Sequence, residues 1–251
     1  MTNTTVIGGG MKFLLFVLYL LFVCTGSGAL AQLVVFDNSH NPAGNGMYES
    51  FGYQLLSWGY TAERRTTPLM DNTDADVIVI LTEDAYTDES TPYTLQEAAW
   101  LSEFVNSGKG LLASVCLNDG YWANILELMN EFGIAEDGPV INPVHYDQFA
   151  AHPLFDGVIE LGDDVSQTAC LAVSAPSVPV AGDGVHYMIA VYQNEAGPGA
   201  AIWTTHYYMM HYDGLGDYDN LIFLENAFAW LSRGGVADET TTWGGVKKLF
   251  D

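Results

Sequence analysis

The chain is poor in cysteine and in basic residues, and both shortages limit what it can be. It has 3 cysteines and 7 lysine and arginine residues among 251 positions. No cysteine pair has the C-x-x-C spacing of a zinc or dithiol site, and so few cysteines cannot form a disulfide framework. Against 31 acidic residues, the net charge is −24. That charge repels phosphate backbones and anionic membrane surfaces, so we expect no nucleic-acid partner.

An apolar run near the N-terminus has the features of a secretory signal peptide. Lys12 precedes the run 13–23, and small residues follow it up to an A-x-A sequence at 29–31. The run is short for a membrane span. We predict cleavage before Gln32, with an uncleaved anchor or lipidation at Cys24 as the alternatives. The mature protein is then expected to be secreted or periplasmic, with no stable membrane insertion.

The mature chain is long enough for one domain with a substantial core. We assign residues 1–31 to the signal peptide, 32–236 to an α/β domain and 237–251 to a C-terminal tail. The tail carries aromatic residues around two lysines, and it is either a frayed end or a docking or sorting peptide. Two cysteines remain after cleavage, Cys116 and Cys170, and the sequence does not decide whether they form a disulfide.

Strand-like and helix-like patterns alternate along the first half of the chain. Continuous apolar runs, typical of strands buried on both faces of a parallel sheet, occur at LVVFD, DVIVILT and GLLASVC. Helical patterns ending at glycine follow each run, and TAERRT is a candidate edge strand. Later, VHYMIAVYQ and AAIWTTHYY flank NEAGPG as a hairpin, before a final helix. We predict a single flavodoxin-like α/β domain, with a mostly parallel sheet and helices on both faces.

Polar residues follow the predicted strands at the edge where open parallel sheets bind ligands. These candidate ligand-binding or catalytic residues are Asp37, Ser39, His40, Glu83, Asp84, Cys116, Asn118, Asp119 and His206. A histidine near several of these carboxylates should hold its proton more tightly than in water. His206 and His211 could join the carboxylates around a metal ion. Because no tight ligand motif is present, we predict neither a metal nor another cofactor.

Several segments, in their order along the chain, resemble the class I glutamine amidotransferase-like superfamily. The similar segments are VVFDNSHN, DVIVILTED, LSEFVNSGKGLLASV, LNDGYWANILELMNEFGI, HPLFDGV, AGPGAAIWTTHYY and DNLIFLENAFAWL. They span nearly the whole mature chain. The sequence looks most like the non-amidotransferase branches, which include trehalose-utilisation-like proteins and the related domain of intraflagellar-transport proteins.

The resemblance implies a nucleophilic cysteine after the third core strand and a histidine base after the last strand. Cys116 falls at the nucleophile position, but Ser114 and Asn118 replace the glycines of the family's G-x-C-x-G corner. His206 falls at the histidine position, but Tyr208 stands where the family has glutamate. A thiol needs a base, and the base needs an orienting partner. We therefore expect no amidotransferase activity.

Two functions are compatible with these residues. The first is a secreted, non-amidotransferase domain that binds a small molecule, a glycan or a protein partner at the carboxyl edge of the sheet. The alternative is an extracytoplasmic hydrolase that uses Cys116 and His206, or a metal held by histidines and carboxylates. The aromatic stretch HYYMMHYDGLGDY would suit stacking on sugar rings if exposed, and would be core if buried.

Overall fold

The computed structural model describes residues 31–40, 46–81, 91–115, 121–164, 168–194 and 197–235. The described residues between Gln32 and Gly235 belong to one compact unit. The predicted leader, the tail after 236 and five of the predicted site residues lie outside the described residues, and their roles stay predictions. Those five residues are Glu83, Asp84, Cys116, Asn118 and Asp119.

Parallel strands form one half of the central sheet. They are β1 (Leu33–Asp37), β2 (Thr61–Arg65), β3 (Val77–Leu81), β4 (Gly110–Ser114) and β12 (Ala200–Thr204). Their order is β2-β1-β3-β4-β12, with every neighbouring pair parallel. This is the 2-1-3-4-5 order of flavodoxin-like folds. The apolar strands are buried and the polar strand β2 lies at the edge. The predicted fold class is therefore confirmed.

Helices cover both faces of this sheet, as predicted. α1 (Gly46–Ser57) and α4 (Asn220–Leu231) pack on one face, and α2 (Leu95–Asn106) and α3 (Leu126–Glu131) pack on the other. A capping box begins α2. The Thr94 hydroxyl accepts a hydrogen bond from the Glu97 backbone N–H, and the Glu97 carboxylate accepts one from the Thr94 N–H.

Antiparallel strands form the other half of the sheet. β11 (Tyr187–Gln193) pairs with β12, which confirms the predicted hairpin. Beyond it the sheet continues through shorter or bulged strands, and a two-stranded ribbon stands apart. These further strands are β5 (Ile134–Ile141), β6 (Val144–Tyr146), β7 (Gln148–Phe149), β8 (Leu161–Asp163), β9 (Thr168–Val173) and β10 (Val178–Gly182). The ribbon is the antiparallel pair of β6 and β8. Within the described stretches, no helix is long and apolar enough to span a membrane.

Candidate functional site

Two polar networks lie at the carboxyl ends of the parallel strands, one after β1 and one after β12. We call the residues Asp37, Ser39, His40, Tyr93 and Glu97 the β1 network. Tyr146, Asp163 and His206 are the β12 network. In the 2-1-3-4-5 order the strand sequence reverses between β1 and β3, and ligands of such sheets bind at this switch point. The β1 network therefore occupies the position where the topology favours a ligand.

Asp37, the last residue of β1, is the buried centre of the β1 network, with 5% of its surface exposed. Its carboxylate accepts hydrogen bonds from the Tyr93 hydroxyl at 2.8 Å, the Ser39 hydroxyl at 3.0 Å and the Asn72 amide at 3.5 Å. Burial raises the pKa of Asp37, against the opposing effect of its donors. Burial and the Asp37 charge raise the pKa of Tyr93 well above its ordinary value. Tyr93 is thus a fixed donor and not a nucleophile.

His40 links the β1 network to the start of α2. Its Nε2 lies 2.8 Å from Glu97 Oε1, and its Nδ1 lies 3.1 Å from both the carbonyl and the hydroxyl oxygen of Thr91. Its ring packs on Tyr93 with the ring centroids 4.0 Å apart. Burial works to raise the pKa of Glu97, but hydrogen bonds from Thr94 and His40 outweigh it and lower the pKa. Both ring nitrogens of His40 therefore have partners.

His206 is the centre of the β12 network. Its Nε2 lies 2.8 Å from Asp163 Oδ2, and both side chains are completely buried. Its Nδ1 lies 3.4 Å from the hydroxyl of Tyr146. Asp163 ends β8 and Tyr146 ends β6, so the small ribbon supplies both partners of the ring.

The pKa of His206 contradicts the expectation from sequence that such a histidine would hold its proton more tightly. Burial lowers the pKa, and the hydrogen bond and charge of Asp163 raise it by less. A fully desolvated imidazole loses more from burial of its charged form than it gains from one carboxylate. The ring is therefore the neutral member of a buried pair.

The structure brings the predicted residues after β1 together but places His206 in the other network. β1 and β12 are three interstrand steps apart, about 14 Å at the usual strand spacing. The networks also contact different core layers. Tyr93 packs in the core on one face of the sheet, and Tyr146 packs in the core on the other. The two histidines therefore do not share one cluster.

Four network residues were not predicted as site residues: Tyr93, Glu97, Tyr146 and Asp163. A local signal for Glu97 existed, because T-x-x-E before an apolar helix is a capping box that puts a carboxylate at the sheet edge. No such signal exists for Asp163, which lies 43 residues from His206 in sequence. Only the pairing of two three-residue strands, β6 and β8, brings it there.

The metal hypothesis receives no support from the described part of the chain. There, no group of three histidine, cysteine or acidic side chains is arranged to hold a metal ion. His206 contacts Asp163, whereas His211 lies 3.8 Å from Asp213. The two histidines that the hypothesis joined thus have different partners.

Comparison with known proteins supports the fold and leaves the activity open. No protein-family model matches the chain, and no curated protein matches it. Among solved structures, the mmIFT52 N-terminal domain matches with a TM-score of 0.67 at 15% identity, covering 82% of this chain and 100% of that chain. A putative GMP synthase subunit from Thermoplasma acidophilum matches with a TM-score of 0.52 at 10% identity, covering 80% of this chain and 93% of that chain.

A third structure is a cytoplasmic protein of Salmonella typhimurium LT2, with a TM-score of 0.57 at 13% identity, covering 80% of this chain and 99% of that chain. All three are under 25% identical to this chain, so they show a shared fold alone. The resemblance stated from sequence is thus supported at the level of fold.

Proposed function

We propose that the protein is a secreted amidotransferase-like domain that binds a ligand at the carboxyl edge of its sheet and has no amidotransferase activity. The observation that carries this proposal is the environment of His206. A general base must present a ring nitrogen to the proton that it takes. Here Asp163 holds one nitrogen, as the orienting partner of a base would, but Tyr146 faces the other nitrogen and the ring is completely buried. Both ring nitrogens of His206 thus face other side chains, which supports a structural role over that of a base for a thiol.

The second cysteine of the mature chain offers no substitute nucleophile. Cys170 is buried in β9, and burial raises the pKa of its thiol to about 11. The thiolate is the reactive form of cysteine, so this thiol is inert at neutral pH. These features support binding over the hydrolase alternative.

The switch-point position and an unsatisfied buried acceptor support ligand binding beside Asp37. Asn72 is completely buried, and its Oδ1 has no hydrogen-bond partner within the part of the chain that the structure describes. A buried acceptor without a donor costs free energy, and a donor brought to it by a bound water or by a ligand that enters beside Asp37 would remove that cost. We expect a small molecule, a glycan or a segment of a protein partner there, and the net charge of −24 disfavours an anionic one.

The absence of catalysis is tested by measuring ammonia release from L-glutamine by the mature protein, beside Cys116→Ser and His206→Gln variants. We expect no release above background from any of them. Hydrolysis that both substitutions abolish, in variants that still melt cooperatively, would reject the proposal and favour the hydrolase.

The binding site is tested by thermal shift of the mature protein against neutral sugars, amino acids and peptides. A compound that raises the melting temperature is then measured with Asp37→Asn. Asp137→Asn is the matched control, because Asp137 is exposed on β5 and belongs to neither network. We expect Asp37→Asn alone to weaken the shift, since a ligand stabilises only the state that binds it. Equal shifts in both variants would place the ligand elsewhere.

A further inference from the structure

Three rings in contact follow β12 at the same edge of the sheet, the first two stacked and the third tilted by 43°. Tyr208 and His211 stack with centroids 4.9 Å apart and planes 23° apart, and His211 and Tyr212 follow at 4.2 Å. Tyr212, the last ring, is 67% exposed. The hydroxyl of Tyr208 donates to Asp213 at 3.3 Å, so a carboxylate lies beside the rings. We call these four residues the aromatic platform.

Buried neighbours and hydrogen bonds anchor the platform to the core. Met209 and Met210 are completely buried in the core. Ser50 of α1 donates a hydrogen bond to the Met210 carbonyl at 3.1 Å. A side chain at Gly214 would collide with the carbonyl oxygen of Tyr208, so the turn is tightly closed. Both interpretations of this stretch from sequence thus hold for part of it: the methionines are core, Tyr212 is exposed, and Tyr208 and His211 are half-buried.

A second exposed cluster extends this surface. His145 lies 3.0 Å from Glu160 and 3.1 Å from Asp164, and the Tyr218 hydroxyl lies 2.7 Å from His145 Nε2. Tyr218 has a φ of 45°, a left-handed conformation that is costly for a bulky residue. The surrounding contacts therefore hold its phenol in one place, and 40% of the residue stays exposed.

The platform and this second cluster border the same buried network. Asn220 joins their frames, because its Nδ2 donates at 2.8 Å both to the carbonyl of Gly162 in β8 and to the carbonyl of Gly214 in the turn of the platform. His145 and Asp164 are also direct chain neighbours of members of the β12 network. We therefore treat the two clusters as one aromatic–acidic surface.

The sequence makes this surface strongly negative. No lysine or arginine occurs between Lys109 and Arg233, a stretch that supplies every residue of the surface. Histidines are consequently its only basic side chains. Exposed carboxylates attract cations over several ångströms, and the faces of aromatic rings attract them at contact. Both properties favour a cationic ligand.

We propose that the aromatic–acidic surface binds a basic segment of a partner protein, with arginine or lysine side chains stacked on the rings and paired with the carboxylates. This inference rests on the proposed function as a non-catalytic binding domain. A peptide fits better than a small cation because the surface is open: the side chain of Asp213 is 51% exposed, whereas small-molecule sites bury most of their ligand. A neutral glycan would gain nothing from the charge.

The test uses fluorescence anisotropy of the labelled peptide Gly-Arg-Gly-Arg-Gly-Arg-Gly with the mature protein at low and moderate salt. We expect saturable binding by this peptide, weaker binding by its lysine analogue and none by its glutamine analogue. Tyr212→Leu should weaken binding about fivefold, the size of one exposed cation–π contact. Tyr212→Phe keeps the ring face and should bind like the wild type. Free arginine amide that binds as tightly as the peptide would overturn the choice of a peptide.

A matched pair of charge variants separates a site from general attraction to an acidic protein. Asp213→Asn should weaken peptide binding, and Asp137→Asn, which changes the net charge equally, should not. Equal losses in both variants together with no effect of Tyr212→Leu would overturn the proposal. If the peptide test fails in this way and no glutamine hydrolysis is detected, the proposed function still holds. Hydrolysis that depends on Cys116 would remove the proposed function whatever the peptide does.

Discussion

Acid should weaken this fold because a histidine is buried in its neutral form. His152 precedes a short 3-10 helix and is only 8% exposed. Its Nδ1 accepts the backbone N–H of Leu154 at 3.3 Å, and its ring meets Trp230 edge to face with centroids 5.0 Å apart. Burial lowers the pKa of His152 from 6.5 to about 4. The native protein therefore resists protonation at this position.

The size of the effect follows from the difference between these pKa values. Below pH 6.5 the unfolded chain binds a proton at this position that the native protein does not bind. The free energy of unfolding therefore decreases as the pH is lowered. The difference is about 2.5 pKa units (6.5 minus about 4), and each unit corresponds to about 1.4 kcal/mol. We expect a loss of about 3 kcal/mol between pH 6.5 and pH 4 from this histidine.

The assay is urea unfolding followed by tryptophan fluorescence at pH 7.5, 5.5 and 4.5, for the wild type and His152→Asn. Asparagine retains a side-chain acceptor for the helix start and does not titrate. Between pH 7.5 and 4.5 the wild type should lose about 2.5 kcal/mol more than the variant. His206, whose pKa burial also lowers, contributes equally to both proteins. Parallel pH profiles for the two proteins would refute the reasoning.

Three further predictions concern single contacts. Asp163→Ala removes the carboxylate bonded to the buried histidine of the β12 network and should cost about 3 kcal/mol in urea unfolding; a cost below about 1 kcal/mol would contradict that bond. Thr94→Ala removes the capping box and should cost about 1 kcal/mol, while Thr94→Ser should cost little. Gly214→Ala should lower the melting temperature through the clash with Tyr208, whereas Gly216→Ala, with open space around it, should not.

Local chemistry made the parallel half of the fold predictable. Strands buried on both faces are nearly continuous apolar runs; β3 is apolar throughout, and β1 and β4 are apolar up to their last residues, Asp37 and Ser114. The ends of α2 are equally local. Its capping box joins residues three apart, and Gly108 after it has a φ of 105°, which favours glycine. Signals of this kind need no knowledge of distant parts of the chain.

The antiparallel half was not predictable strand by strand. β6, β7 and β8 have three, two and three residues, too few to show a period. Their pairing is set by partners far along the chain, as when β7 joins β10. For the same reason the contact between Asp163 and His206 was not predictable, because it exists only once the ribbon of β6 and β8 has formed.

By itself, the sequence determined that Asp37 ends a strand of a parallel sheet and that Ser39, His40 and His206 follow such strands, and hence that all four lie at its carboxyl edge. Only the tertiary structure decided what each can do there. His40 lies beside the cap of α2, while His206 is sealed between β12 and a distant ribbon. A side chain's charge and reactivity depend on the solvent and partners around it. Those surroundings come from packing between segments that the sequence leaves far apart.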